Sequence, residues 1–420
     1  MFVTQGSAVT EASTRQGLAG GEGIGVSGSR CRTPIDLDNI SRTFMNAATL
    51  QLKVITNPTE FYALREEWDA LWSGANGRHH QAFTVCWLCW LRIARPRARK
   101  LRIILLRENG RLVAVWPLVS YRKFFWTVLR PLSPEATDHT SVLVEDGPST
   151  FAVVEQLWRA AHQRCDSDII LLPYLSVNSD LHSLASHHRR VMVARQHFSA
   201  VAKLRSENDW GAYCASLGML SGRKPGARQR RLEKQGEVEI RVLGPDDAAE
   251  NEKMVDWMLA CKREWADRVG KKGEWLFSND YRDFLIDLLN QRQDDVLARL
   301  LVVSLDGAAV AVNVLGLGKR CIDGVIGSFD PKHGKFAPGT IAMEASVKWV
   351  FEQGFDLDMG VGPENFKGYW SRDNFTAVWS MQIANTRWGL LAFSASTLRQ
   401  TLSQRVAGLR TSSRPSDLTP

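Results

Sequence analysis

Apolar positions along this chain fall first at helical and then at strand spacing. Asn57 offers a cap, Pro58 a first helical residue and Glu60 a third, after which Phe61, Leu64, Trp68 and Leu71 recur every three or four residues. A second apolar helix is predicted over roughly 83–93. The pattern then tightens into two apolar strands, Leu101 to Arg107 and Leu112 to Val119, joined by Asn109-Gly110, a pair suited to a two-residue hairpin loop. A helix over about Thr150 to Gln163 and a strand over about Asp168 to Tyr174 follow. Farther on, Met254, Trp257, Met258, Cys261 and Trp265 mark one amphipathic helix, and Phe284, Leu285, Leu288 and Leu289 another.

The hairpin recurs. Arg102, Gly110 and the run Val113 to Val115 match Arg299, Gly307 and the run Val310 to Val312 at the same offsets. Each hairpin is preceded by helices and followed by a helix and a strand, the second set being Thr340 to Gln353 and Phe355 to Met359. The chain therefore reads as a tandem duplication of one α/β unit. Residues 1–48 are rich in Gly, Ser and Thr without apolar period, which predicts a disordered tail. The expected domains are 49–203 and 204–395, with a C-terminal tail over 396–420.

Composition narrows the class. An apolar fraction of 44% and a charged fraction of 23% are those of an ordinary globular protein, and no apolar run has the length of a membrane span. The N-terminus lacks a basic region followed by an apolar one, so no secretory signal is expected. Seven scattered Cys argue for a reducing compartment, and the expected location is cytoplasmic. Cys86 and Cys89 form a C-x-x-C without a second pair, best read as buried thiols on an apolar helix. The net charge of +8 favours anionic partners.

Chemistry concentrates between Asp323 and Trp370, which reads as strand, basic loop, helix, strand, then a Phe-Lys loop. A strand feeding a loop that opens a helix gathers backbone N–H groups and the positive end of the helix dipole at one spot, an anion site. Lys332, His333 and Lys335 lie in that loop, whereas the matching position of the first half carries Glu145 and Asp146. Only the second half is expected to hold a polyphosphate. Lys367, between aromatics, suits an anionic acceptor or a reacting carbonyl. Asp356 and Asp358 alternate with Leu357 on a strand, so one acid could orient Lys367 or take a proton. Glu344, Lys348 and Glu352, at four-residue spacing, read as a charged outer helix face. The stretch Arg223 to Lys234 is basic, and Arg228, Arg230 and Arg231 are candidates for a phosphate of cofactor or acceptor.

In order, Asp306-Gly307 with its Val-Ala-Val strand, Phe329-Asp330-Pro331, Ala337-Pro338-Gly339 opening a helix, Phe355 to Gly360, and Phe366-Lys367 before Tyr369-Trp370 resemble the GNAT acyltransferase superfamily. The resemblance is specifically to the CelD/BcsL-like acetyltransferases linked to cellulose and exopolysaccharide synthesis. These are similar in build to the tandem-GNAT aminoacyltransferases that make peptidoglycan cross-bridges. The family often has Ser at Ala337 and Tyr at Phe366, so a capping hydroxyl and a phenol are missing here. The likeness covers about Gly211 to Trp370 well and the first half loosely.

The resemblance implies an α/β fold of two tandem GNAT-like domains, each a mixed twisted sheet flanked by helices, with a degenerate first copy. It implies acetyl-CoA as the acyl-donor substrate, with Lys335, Phe336, Ala337, Pro338, Gly339 and Thr340 holding it, and no metal. Asp358, Lys367 and Tyr369 become the catalytic candidates, Tyr369 as proton donor to the leaving thiolate, and Asp323 falls near the acyl end. Arg228, Arg231 and Lys367 would meet the acceptor, expected to be a small sugar-like or cell-envelope precursor. No P-loop, nucleophile elbow or dinucleotide motif is present, and no nucleic-acid module accompanies the basic stretch, so nucleic acid is not an expected partner. Two alternatives remain: an aminoacyltransferase using aminoacyl-tRNA, and a non-catalytic polysaccharide-assembly factor.

Overall fold

The two hairpin turns paired by the repeat are built alike: Asn109 and Gly110 take φ of 51° and 83°, Asp306 and Gly307 49° and 77°. Positive φ at both loop positions lets a two-residue turn follow the twist of its strands. The computed structural model describes residues 50–135, 139–270, 273–292, 296–362 and 364–394. Both expected tails lie outside these residues.

The first half runs β1 (Leu50–Ile55), α1 (Pro58–Tyr62), α2 (Arg65–Gly74), α3 (Phe83–Leu88), β2 (Lys100–Glu108), β3 (Arg111–Lys123), β4 (Trp126–Pro131), β5 (Leu143–Val144), α4 (Thr150–Arg164), β6 (Ile169–Ser176), α5 (Asp180–Ser186) and β7 (Val191–Ala202). The second runs α6 (Trp210–Ser216), α7 (Ala227–Leu232), β8 (Val238–Leu243), α8 (Ala248–Arg268), α9 (Glu274–Phe277), α10 (Asn279–Leu289), β9 (Ala298–Leu305), β10 (Ala308–Leu317), β11 (Cys321–Phe329), α11 (Pro338–Glu352), β12 (Asp356–Val361), α12 (Asn365–Ser371) and β13 (Phe375–Ala384). Asn57 caps α1 as expected, its side chain accepting from Thr59 N–H at 2.8 Å. The single helix expected from there breaks after Tyr62, where a tight turn from Leu64 N–H to the Phe61 carbonyl starts α2 on a new axis.

The expected α/β architecture is observed as one 13-stranded sheet in the order β1-β2-β3-β4-β6-β13-β7-β12-β11-β10-β9-β8, with β5 beside β3. From either edge it presents the same succession: an antiparallel run, then a parallel pair, β4 with β6 and β11 with β12. The centre is exchanged. β7 ends the first half but pairs with β12 and β13, and β13 ends the second but pairs with β6. The partners of the exchanged strands are bulged at matching places, with Tyr174 at φ 44° in β6 and Gly360 at φ 72° in β12.

Helices α2, α3, α8 and α10 cover one face with a core common to both halves. On the other face α4 and α5 pack over the first half and α11 and α12 over the second. The segment expected to be a Phe-Lys loop is helix α12, a correction. Trp370, 1% exposed, anchors it, with its ring stacked on Trp210 at 6.1 Å and its carbonyl accepting from Tyr213. Among the described residues, no helix is long and apolar enough to cross a membrane.

Candidate active site

Strands β11 and β12 pair only from Cys321 with Asp356 to Asp323 with Asp358. Beyond that they part, β11 continuing along β10 and β12 along β7. The parting is forced on one side by a bulge, where Val325 is skipped in the register to β10, and on the other by the kink at Gly360. A narrow opening lined by backbone results, with Asp323 and Asp358 side by side at its closed end.

Arg78, from the loop after α2, lies over both carboxylates. Its Nη2 donates to Asp323 Oδ1 and, at 2.7 Å, to Asp358 Oδ2. The other Asp358 oxygen accepts from Ser199 Oγ of β7 at 2.7 Å and from Gly360 N–H at 2.8 Å. Burial disfavours the charge on Asp358, but Arg78, His139 and these hydrogen bonds outweigh it and bring its pKa to about 2. Asp358 is thus a fully partnered anion rather than a free base. Burial works most strongly against the Arg78 charge, but Asp323, Cys321 and Asp358 together outweigh it and raise its pKa.

Half-buried side chains surround this cluster on the same face. His80 Nε2 is 2.7 Å from Ser141 Oγ and its ring stacks on His139 at 5.3 Å; Tyr174 and His197 continue the row at 5.2 Å. Burial, then His139 and Arg78, pushes the His80 pKa well below its ordinary value, so the ring is neutral at pH 7. Its Nδ1 is buried without a hydrogen-bond partner.

The opposite face carries the anion loop. Leu357 and Met359 pack there among α11 and α12 side chains, so Asp358 between them points the other way. The loop is a short 3₁₀ helix over Pro331–Phe336, with Asp330 as cap accepting from Lys332 N–H at 2.8 Å. Ala337 takes φ 55° and turns the chain into α11 at Pro338. Phe336 is buried, and Lys335 and Arg231 both lie over its ring. An open groove of about 720 Å³ adjoins it, lined by Arg223, Arg230, Arg231, Lys234 and Lys335 beside Phe336, with no acid among its lining residues. Arg228 does not face this groove. It is buried, and its Nη2 donates to the Leu220 carbonyl at 2.6 Å. Glu344, expected on an outer face, is instead half-buried and accepts from Gly226 N–H at the start of α7, and burial raises its pKa.

Asp358 and Lys367 are therefore not brought together. Lys367, 6% exposed, donates to the Val361 carbonyl at 2.9 Å and pairs with Glu364 at 3.0 Å, holding the end of β12 against α12. The Tyr369 hydroxyl donates to the Gly218 carbonyl at 3.3 Å. Lys335, Phe336, Ala337, Pro338, Gly339 and Thr340 run consecutively into the head of α11, and of them Lys335 and Phe336 line the groove together with Arg231. Sequence reasoning missed Arg78, His80, His139, Ser141 and Ser199, which lie in the first half. Their only signal was the cluster of His and Arg at Arg78-His79-His80 before an apolar helix. Cys86 and Cys89 are both buried, as expected, with burial raising Cys86 to about 12. Among the described residues no group of His, Cys, Asp and Glu is arranged to hold a metal ion.

Residues 224–368 match the family model Acetyltransf_6, an acetyltransferase (GNAT) domain. With the internal repeat, this makes the architecture two tandem GNAT-like units. No curated protein gives a match. Among solved structures the chain is similar to FemX, at 14% identity and a TM-score of 0.55 over 82% of this chain and 100% of that one. At lower scores it is similar to the C-terminal domain of a putative lysylphosphatidylglycerol synthetase from Agrobacterium fabrum (12% identity, 81% and 97% covered, TM-score 0.47). A tandem GNAT protein from the clavulanic acid biosynthesis pathway gives 12% identity, 80% and 99% covered, and a TM-score of 0.45.

Proposed function

Taking the chain as an acyltransferase whose second half carries a GNAT acetyltransferase domain, we propose that it moves an acetyl or similar acyl group from acyl-CoA to an amine or hydroxyl. The acceptor is a sugar or a cell-envelope or exopolysaccharide precursor, a reading that rests on the resemblance to CelD/BcsL-like acetyltransferases. The observation that carries the reaction type is the opening where β11 and β12 part, with a basic loop on one face and the half-buried His80, His139 and Ser141 side chains on the other.

The donor's phosphates lie at Lys335 and the head of α11, where backbone N–H groups and the helix dipole favour anions. The acyl arm enters the opening and brings its thioester near Val325. The acceptor comes from the His80 side. Its nitrogen or oxygen attacks the carbonyl carbon, the carbon–sulfur bond breaks, and the acceptor's proton leaves on that face. His80, neutral and hydrogen-bonded to Ser141, is the group that takes it in this reading, although burial makes it a weaker base than a free imidazole. Backbone at the bulge supplies donors for the developing oxyanion. Asp358 and Lys367 act as positioning residues, Asp358 by holding Arg78 at the closed end and Lys367 by fixing the end of β12. Tyr369 keeps its proposed part as a proton source for the departing thiolate, for which its hydroxyl must first leave the Gly218 carbonyl.

A second reading is an aminoacyltransferase that uses aminoacyl-tRNA. It draws on the five cationic side chains of the groove beside Phe336, which have the charge and room for successive phosphates. Calorimetry with acetyl-CoA and with tRNA separates the two, and thiol release from acetyl-CoA in the presence of candidate acceptors separates both from a non-catalytic assembly factor. Tight tRNA binding without CoA binding would overturn the first reading.

A further inference from the structure

The hairpin between β3 and β4 carries Phe124-Phe125 as its two-residue loop, with Lys123 opposite Trp126. Phe124 adopts φ 55°, a conformation that ordinarily selects Gly, Asn or Asp. Both rings stand in solvent, Phe124 68% and Phe125 70% exposed. Helical residues 387–394 lie against this tip. Trp126 Nε1 donates to the Trp388 carbonyl at 2.9 Å, Trp388 Nε1 donates to the Phe125 carbonyl at 3.3 Å, and the two indoles are 5.8 Å apart. The helix buries Ala392 and Phe393 and turns Trp388 (48% exposed) and Leu391 (51%), three residues apart, to the same outer side. Four large apolar side chains thus share one projecting edge, locked together by two indole hydrogen bonds.

Cations outnumber acids around this edge, where Glu274 faces Lys123 at the base of the hairpin. Arg122 and Arg387 are exposed beside it. Farther along the sequence, residues 395–420 carry Arg399, Arg405, Arg410 and Arg414 and one acid, Asp417. Aromatic rings at a protruding tip flanked by Arg are the chemistry of the boundary between lipid headgroups and acyl chains, where indole and phenyl rings settle and cations meet phosphate. A protein partner of acidic surface would find the cations, but two adjacent Phe on a hairpin tip offer it no concave fit. We propose that this edge is a docking surface for a bilayer containing anionic phospholipid, which holds the enzyme at a membrane without crossing it.

The test is co-sedimentation of the full chain with vesicles of phosphatidylcholine alone and of phosphatidylcholine mixed with phosphatidylserine. Binding is expected to the mixed vesicles, to weaken as salt is raised, and to be at least about tenfold weaker to phosphatidylcholine alone. Phe124→Asn isolates the role of the ring, because Asn suits the positive φ. It is expected to raise thermal stability slightly yet lower vesicle affinity by about tenfold, the loss of one buried aromatic ring. Phe125→Ser should lower it similarly, and Arg387→Gln should lower it only on the mixed vesicles. Absence of binding to mixed vesicles overturns the proposal, as does binding that Phe124→Asn and Phe125→Ser leave unchanged. So does a concentration-dependent dimer that these variants abolish while vesicles bind nothing, which would make the edge a contact between copies.

Discussion

Arg78 Nη2 stands 2.7 Å from Asp358 Oδ2, although 280 residues separate them in the chain. The contact ties a loop of the first half to the strand beside the opening in the second. Removing Arg78 leaves two buried carboxylates side by side without a counter-charge, so Arg78→Ala should cost about 3 kcal/mol, whereas Asp358→Asn, which leaves Arg78 paired with Asp323, should cost about 1 kcal/mol. In a double-mutant cycle read by urea denaturation, the pair should couple by about 2 kcal/mol. Additive effects would mean that the contact contributes nothing to joining the halves.

The same carboxylate predicts an acid limb. Its folded pKa of about 2 lies below an unfolded value of about 3.9, so its stabilisation is complete above pH ~4 and is lost as pH falls toward 2. That amounts to about 2 kcal/mol. The buried histidines act in a higher window. Burial lowers His80 well below 6.5 and His162 to about 4, so both oppose folding progressively as pH falls below ~6.5. Urea titrations across pH should show two stages, with Asp358→Asn removing the lower and His162→Gln reducing the upper.

Donor binding is checked at the head of α11. Gly339 lies against the Phe329 ring, where an added Cβ would sit 2.9 Å from it. Gly339→Glu brings both bulk and negative charge, and Lys335→Glu reverses a charge at the same place. Each should weaken acetyl-CoA binding at least about tenfold by calorimetry. Affinity that survives both changes moves the donor site elsewhere.

For the acceptor side, His80→Gln should lower kcat by about a hundredfold while leaving the KM for acyl-CoA unchanged. The acidic limb of the rate profile should vanish in the variant. A fall confined to KM would give His80 a binding part only.

How much of this was legible in the sequence follows from burial. The β2–β3 and β9–β10 hairpins announced themselves because their strands are packed on both faces and their Asn-Gly and Asp-Gly turns have few alternatives. Strand β7 was missed because Arg195, Gln196 and Phe198 of that strand are exposed, which erases both alternation and an apolar run. Helix α12 reads as a loop in the sequence because it is seven residues long, follows Gly360 and Gly362 and contains Gly368, and only Trp370 packing reveals it. The head of α11 could be located by its local strand–loop–helix order. Arg78 and Ser199 could not, because their link to Asp358 exists only through the exchange of β7 and β13.

A final expectation concerns that exchange. A chain divided between Ala202 and Trp210 should yield two fragments that are each insoluble alone, since β7 lacks both its partners and β6 loses β13. Co-expression should restore a soluble pair, readable by size-exclusion chromatography. A stable monomer from either fragment would show that the centre of the sheet is dispensable.

Residues 203–209 join the two halves, so the exchanged strands never meet as strangers. The seven-residue tether turns what would be an assembly step, governed by protein concentration, into an internal event at the millimolar effective concentration of a short linker. The folded state should therefore hold at any dilution, and refolding should run at a rate that does not depend on how much protein is present.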